Sequence, residues 1–357
     1  MDLNYFFDEK PYSFDKDSKT SIFNDYFYKL TAYHYDNCLN YKNILDTIGY
    51  NSKVKKHYSE IPFLPVRLFK MFDMYSVSKD NIVKTMTSSG TSGQEVSKIY
   101  LDKKTAFNQS KVLTKIVSSY IGLKRAPMII IDSPSVIKNR NMFSARGAGI
   151  LGFSIFGSKK IYALNDDMNL NVDELVKFLK LYKDDRIFIF GFTFMIYQYF
   201  LMKLKELDIK IDLSNAVLIH GGGWKKLENQ SVNSNEFRKI IHKFTGITSV
   251  HDYYGMVEQT GSIFMECENG NMHAPIFSDI FIRRSNDFSL ADKNEVGIIQ
   301  TLSILPLSYP GHSLLTEDEG VFLGEDDCSC GRYGKYFKIF GRVKNAELRG
   351  CSDTYES

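Results

Sequence analysis

The chain has 357 residues, 43% of them apolar and 24% charged, with 45 basic against 42 acidic side chains and a formal charge of +3. That is enough chain for one large domain or two smaller ones, and a charge too near balance to suggest nucleic acid or an anionic membrane as partner. MDLNYFFDEK lacks a leader's layout, no apolar run approaches the roughly 20 residues of a membrane span, and five cysteines are too scattered for a disulfide framework, so a cytoplasmic protein with reduced thiols is expected.

Residues 1–80 are rich in aromatics and Lys, with helical spacing in Ile22, Phe23, Phe27 and Leu30 and again in Val66, Leu68, Phe69 and Phe72, which suggests a helical lead-in. From 81 to 270 short apolar runs alternate with amphipathic stretches. The runs 127-PMIIID-132, 186-RIFIF-190, 216-AVLIH-220 and 247-ITSVH-251 predict buried strands, and 171–182, 194–207 and 234–245 predict helices between them. Such alternation predicts an α/β core with mostly parallel strands. Residues 271–340 hold short strands such as 296-VGIIQTL-302 and turns marked by Pro306, Pro310, Gly311, Gly320 and Gly324, predicting a smaller β-rich portion before a short tail over 341–357.

Several clusters carry residue types suited to a nucleotide. In 85-TMTSSGTSGQEVSK-98, Gly90 and Gly93 let backbone N–H groups approach an anion, the hydroxyls of Thr87, Ser88, Ser89, Thr91 and Ser92 can donate to phosphate oxygens, and Lys98 can add a charge; a flexible Ser/Gly surface loop is the alternative. The glycines Gly221, Gly222 and Gly223 stand where a strand should end, the edge at which open α/β sheets bind ligands, though a tight turn would use the same residues. In 251-HDYYGMVEQTG-261, Tyr254 can stack on a base, Gly255 permits close approach, and Glu258 offers oxygen to a hydrated Mg²⁺, while His251 reads more readily as structural. Asp318 in 315-LTEDEG-320 and Arg342 in 339-IFGRV-343 can accept from and donate to ribose hydroxyls, or be solvated turn charges. Cys328 and Cys330 form a C-x-C without a second Cys or His pair nearby in sequence, which argues against a tetrahedral zinc site. Cys351, near Arg349 and the chain end, could be an activated thiol or an incidental surface cysteine.

Taken in order, SSGTSG, GGGWKK, HDYYGMVEQTG, TEDEG and FGRV resemble the acyl-adenylate-forming ligase superfamily. More closely, 144-SARGAGILGF-153, 191-GFTFMIYQ-198, 221-GGGWKK-226 and 253-YYGMVEQTGSIF-264 look like the long-chain acyl-protein synthetases of bacterial bioluminescence, over most of residues 60–355. The resemblance implies that family's α/β fold and a reaction of fatty acid with MgATP to acyl-AMP and pyrophosphate. The acyl group then passes to an enzyme cysteine and to an acyl reductase subunit, in a complex that can also hold an acyltransferase. It also implies Cys351 as acceptor, Thr87 to Gly93 at the phosphates, Gly221 to Gly223 and Tyr254 at the adenine, Glu258 at Mg²⁺, and Asp318 and Arg342 at the ribose.

One departure is that only 15 residues follow Arg342, where the superfamily usually continues into a mobile C-terminal domain with a catalytic lysine. Charge stabilisation is then expected from Mg²⁺, Lys98 and the phosphate loop, or from a partner. The rival readings are an acyl- or aryl-CoA ligase similar to phenylacetate-CoA ligases, and a non-catalytic scaffold that binds a nucleotide or acyl chain.

Overall fold

The computed structural model describes residues 2–88, 95–138, 145–224 and 232–343. The described residues form two compact units, one made of those up to Ser119 together with 255–343, the other of Tyr120–Tyr254.

The first unit opens with the helix Lys16–Asn37, started by the Asp15 carboxylate accepting from the Ser18 N–H, which satisfies one of the amides left over at a helix start. Its Phe23, Phe27 and Leu30 are fully buried, as their spacing predicts. The second apolar set behaves differently. Of residues 66–72 only Leu68–Met71 is helical, and Leu64–Pro65 instead forms a strand, β1, parallel to the later strand Ser313–Glu325. Pro62 and Pro65 lock φ and remove amide donors, so the helical spacing there cannot nucleate a long helix. An antiparallel pair follows, β2 (Ile82–Thr87) and β3 (Lys98–Asp102), then the helix Lys103–Ile121.

The second unit holds five parallel strands: β4 (Ala126–Ile131), β5 (Gly157–Tyr162), β6 (Phe188–Phe192), β7 (Val217–Gly221) and β8 (Ser249–Tyr254), in the order β5-β4-β6-β7-β8. β6 and β7 are buried along their whole length, which is why they read as unbroken apolar runs rather than alternating ones. The helices Val172–Leu181 and Ser234–Thr245 and the helical stretch from Thr193 to Glu206 fall where the amphipathic segments predict them; the last passes through a π-helical Ile196–Leu201. Trp224 packs edge-on against Tyr197 and Phe237, a structural role.

Back in the first unit, six strands complete a mainly antiparallel sheet: β9 (Phe264–Glu266), β10 (Met272–His273), β11 (Ser278–Arg283), β12 (Val296–Ser303), β13 (Ser313–Glu325) and β14 (Lys335–Arg342). Their order is β11-β12-β13-β14-β10-β9. Among the described residues no helix is long and apolar enough to cross a membrane.

Candidate functional site

In the first unit, Thr87 ends β2 and pairs across the hairpin with Lys98, the first residue of β3. Ser88 continues this closure, its N–H donating to the Ser97 carbonyl at 3.1 Å and its Oγ accepting from the Ser97 N–H at 2.9 Å. The stem of the Ser/Gly segment is therefore held in register, while Ser89, Gly90, Thr91, Ser92 and Gly93 lie outside the described residues. Lys98 is exposed, with Nζ 3.6 Å from the Asp73 carboxylate.

Glu258 lies in the one-turn 3₁₀ helix Val257–Gln259 and is 1% exposed. Two buried side chains fix its backbone. Tyr309 donates to the Glu258 carbonyl at 2.8 Å, and Gln259 Nε2 donates to the carbonyls of Gly311 at 2.8 Å and Thr301 at 3.2 Å. Burial, with Glu258 close by, pushes the Tyr309 hydroxyl's pKa well up, so this anchor stays protonated and a donor.

Asp318 and Arg342, 24 positions apart in sequence, are direct cross-strand partners on β13 and β14. A β-bulge sets this register: Gly320 pairs with Ile339 but Glu319 pairs with Gly341, leaving Phe340 as the extra residue on β14. Directly opposed residues project from one face of a sheet, so the register puts a carboxylate-bearing and a guanidinium-bearing position next to each other near the end of the ladder. Arg342 also lies 3.9 Å from Glu317, which itself pairs with Arg67 at 2.8 Å.

In the second unit the predicted residues collect at the carboxyl ends of the parallel strands. Gly221 ends β7 and is opposite Tyr253 on β8, and a Cβ on Gly221 would stand 2.3 Å from the Tyr253 ring. Glycine is needed there because an aromatic ring lies across its backbone. Gly222 and Gly223 follow, exposed, and Tyr254 follows Tyr253 and ends β8, with Gly255 opening the later stretch of the first unit. Sequence reasoning missed Tyr253 as the ring that packs on Gly221; its pairing partner becomes visible only with the parallel register. It also missed two polar pairs at the same strand ends. Asp132, just past β4, lies 3.1 Å from Arg146 with both buried, and His220 Nδ1 lies 3.0 Å from Thr193 Oγ1 and 3.6 Å from Asp252. The only signal was position, a polar residue closing each apolar run. His251 is structural, bonded to Ser249 Oγ at 3.0 Å and edge-on to Tyr120.

The C-x-C reading is corrected. Folding brings Cys267 and His273 to Cys328 and Cys330, so the partners absent nearby in sequence are supplied from another hairpin. Cys351 lies outside the described residues.

One unit of parallel strands with ligand-type residues at their carboxyl ends and another with a mainly antiparallel sheet make up the adenylate-forming ligase fold. A 2-hydroxyisobutyryl-CoA ligase solved in an open conformation with its acyl-AMP and CoA has a TM-score of 0.70 and 14% identity, over 95% of this chain and 78% of that one. The same ligase in the postadenylation state gives 0.70 and 13%, over 92% and 69%. The model of the acyl-protein synthetase family LuxE matches residues 2–357, and the chain belongs to that family of acyl-activating ligases. It is similar to the long-chain-fatty-acid–luciferin-component ligase of Vibrio harveyi, 21% identical over 90% of this chain and 83% of the relative. The Aliivibrio fischeri ligase of the same name is 23% identical over 98% and 92%.

Proposed function

We propose that this chain activates a long-chain fatty acid with ATP and Mg²⁺ and delivers the acyl group to a thiol for reduction to aldehyde in a luminescence fatty acid reductase complex. In the first half-reaction a carboxylate oxygen attacks the α-phosphorus of ATP, the bond to the β-phosphate oxygen breaks, and pyrophosphate leaves. In the second, the Cys351 thiolate attacks the acyl carbon, a thioester forms and AMP leaves. A cysteine of the acyl reductase subunit then takes the acyl group by thiol exchange, which conserves its activation. The acyltransferase subunit is a further partner of the same complex.

The observation that carries this reading is the pairing of Asp318 with Arg342 in a chain of the acyl-protein synthetase family. A carboxylate that accepts two hydroxyls and a guanidinium that donates fit a ribose, and directly opposed positions on neighbouring strands suit such a pair. Residue by residue, Thr87 to Gly93 and Lys98 would serve the phosphates, Gly221 to Gly223, Tyr254 and Gly255 the adenine, and Glu258 the magnesium. Mg²⁺ takes oxygen ligands and keeps several waters beside phosphates, and a carboxylate on a backbone fixed by Tyr309 and Gln259 suits that role.

The test uses two assays. Asp318→Ala should suppress acid-dependent pyrophosphate exchange in a folded protein. Cys351→Ser should keep the exchange and lose acylation of the reductase. Parental exchange in Asp318→Ala would remove the ribose assignment; free acyl-CoA as the product with added coenzyme A, and no protein adduct, would favour a CoA ligase.

A further inference from the structure

Two tight turns of the antiparallel sheet approach each other. One joins β9 to β10 through Cys267, Glu268, Asn269, Gly270 and Asn271; the other, between β13 and β14, holds Cys328, Ser329, Cys330, Gly331 and Arg332. They are closed alike. The N–H of the glycine three positions on donates to the cysteine carbonyl, Gly270 to Cys267 and Gly331 to Cys328, each at 3.0 Å. Both glycines are left-handed, with φ of 74° and 77°, a conformation that side chains with a Cβ adopt only at a cost. The result is two similar short turns that bring their sulfur atoms to one place.

The sulfur atoms of Cys267, Cys328 and Cys330 and a ring nitrogen of His273 all lie within 4.8 Å of one another. His273 Nε2 is 3.3 Å from Cys330 Sγ, and its Nδ1 is buried with no hydrogen-bond partner among the described residues. The imidazole is fully buried, stacked on Tyr336 at 21° between planes and edge-on to Tyr12, so its plane is set by its neighbours. Around this set, Asn271 Nδ2 lies 3.7 Å from Cys328 Sγ, Asn269 Nδ2 donates to Ser329 Oγ at 2.8 Å, and Arg332 Nη2 donates to Glu268 at 3.0 Å.

We infer that Cys267, His273, Cys328 and Cys330 bind one zinc ion. Zinc–sulfur bonds of about 2.3 Å and zinc–nitrogen bonds of about 2.0 Å place the corners of a tetrahedron roughly 3.4–3.8 Å apart. The four ligand atoms need only small side-chain rotations to reach those spacings. Three thiolates and an imidazole favour zinc over magnesium or calcium, which seek oxygen. All four corners come from the protein, so no position is open for water or substrate and the ion's role is structural. The amide of Asn271 beside a ligand sulfur is the kind of outer contact that steadies a metal thiolate. Binding releases the three thiol protons to solvent and involves no change of oxidation state. The ion would clasp the β9–β10 turn to the β13–β14 turn, and so brace the hairpin that carries Asp318 and Arg342.

Full-length protein purified under reducing conditions without chelator should contain about one zinc atom per chain by elemental mass spectrometry. After exchange with Co²⁺ it should show the intense visible bands and sulfur-to-metal charge transfer of tetrahedral cobalt thiolate. Neither readout depends on a variant folding. Cys330→Ser, at the ligand that is partly exposed, should lose most of the metal and change the cobalt spectrum, whereas Cys38→Ala, at a cysteine outside the cluster, should keep both. Folded parent protein with no zinc and no cobalt–thiolate spectrum overturns the proposal. So does a metal content untouched by Cys330→Ser, or a disulfide between two of these cysteines in protein kept reduced.

Discussion

The two units fill their interiors differently. The parallel unit centres on an apolar set that includes Ile129, Ile131, Ile189, Leu218 and Val250, with its buried Asp132–Arg146 pair kept to a strand end. The antiparallel unit buries charge. Lys19 is 1% exposed and Asp279 fully buried, with Lys19 Nζ 3.4 Å and Lys335 Nζ 2.8 Å from the carboxylate and the Tyr58 hydroxyl donating to it at 2.6 Å. His34, in the helix Lys16–Asn37, stacks on His312 at 4.9 Å between ring centres, both buried. An apolar interior tolerates changes of pH and small losses of volume, whereas an interior of paired ions and neutral imidazoles depends on every partner and on protonation state.

The largest effect should come from Asp279→Ala, which leaves two buried ammonium groups without their shared carboxylate. A loss of about 3–5 kcal/mol is expected, read from urea unfolding, and a change below about 1 kcal/mol would show that water reaches this cluster. Next comes acid. Burial lowers the pKa of His34 to about 3 and that of His312 well below its usual value, so both stay neutral in the folded protein while the unfolded chain takes up protons near pH 6.5. Stability is then fully present above about pH 6.5 and falls as pH drops toward 3, by up to about 1.4 kcal/mol per pH unit for each histidine. Amide exchange corrected for intrinsic rates should show the antiparallel unit losing protection first. Equal losses in both units would erase the contrast.

A smaller effect is expected from Ile189→Val in β6, about 0.5–1.5 kcal/mol for one buried methylene. The smallest is Lys29→Ala at the surface, where the pair with Asp25 is exposed on both sides; its unfolding midpoint should match the parent's. A large shift there would mean that surface ion pairs, too, support the antiparallel unit.

The same contrast governs what could be read from the residues. In the parallel unit, β4, β6, β7 and β8 announce themselves as apolar runs, and the ligand edge follows from where each run stops; Gly221 was visible because a strand ends there. Helix Ser234–Thr245 was legible to the residue because Asn233 caps it and Gly246 ends it in a left-handed turn. In the antiparallel unit the informative neighbours are set by register. Asp318 and Arg342 were found as separate turn charges, and nothing local says that they face each other. Cys267 and His273 gave no signal as ligands because their partners stand some 60 positions away, and the buried Lys19 looked like any surface lysine on an amphipathic helix. Pattern along the chain reveals what is buried; pairing across strands decides which polar groups meet.

Phe340, 59% exposed and the extra residue of the bulge on β14, makes little use of its own ring. Its value is as a spacer. With Gly320 paired to Ile339, an unbulged ladder that kept Phe340 would set Asp318 opposite Gly341 and Arg342 opposite Glu317, so one residue of length decides which acidic residue stands opposite the arginine in the ladder. Deleting Phe340 would therefore remove the bulge and leave Asp318 opposite Arg342, whereas an alignment that slides a gap past this position would match the wrong acid to the arginine without any drop in residue similarity.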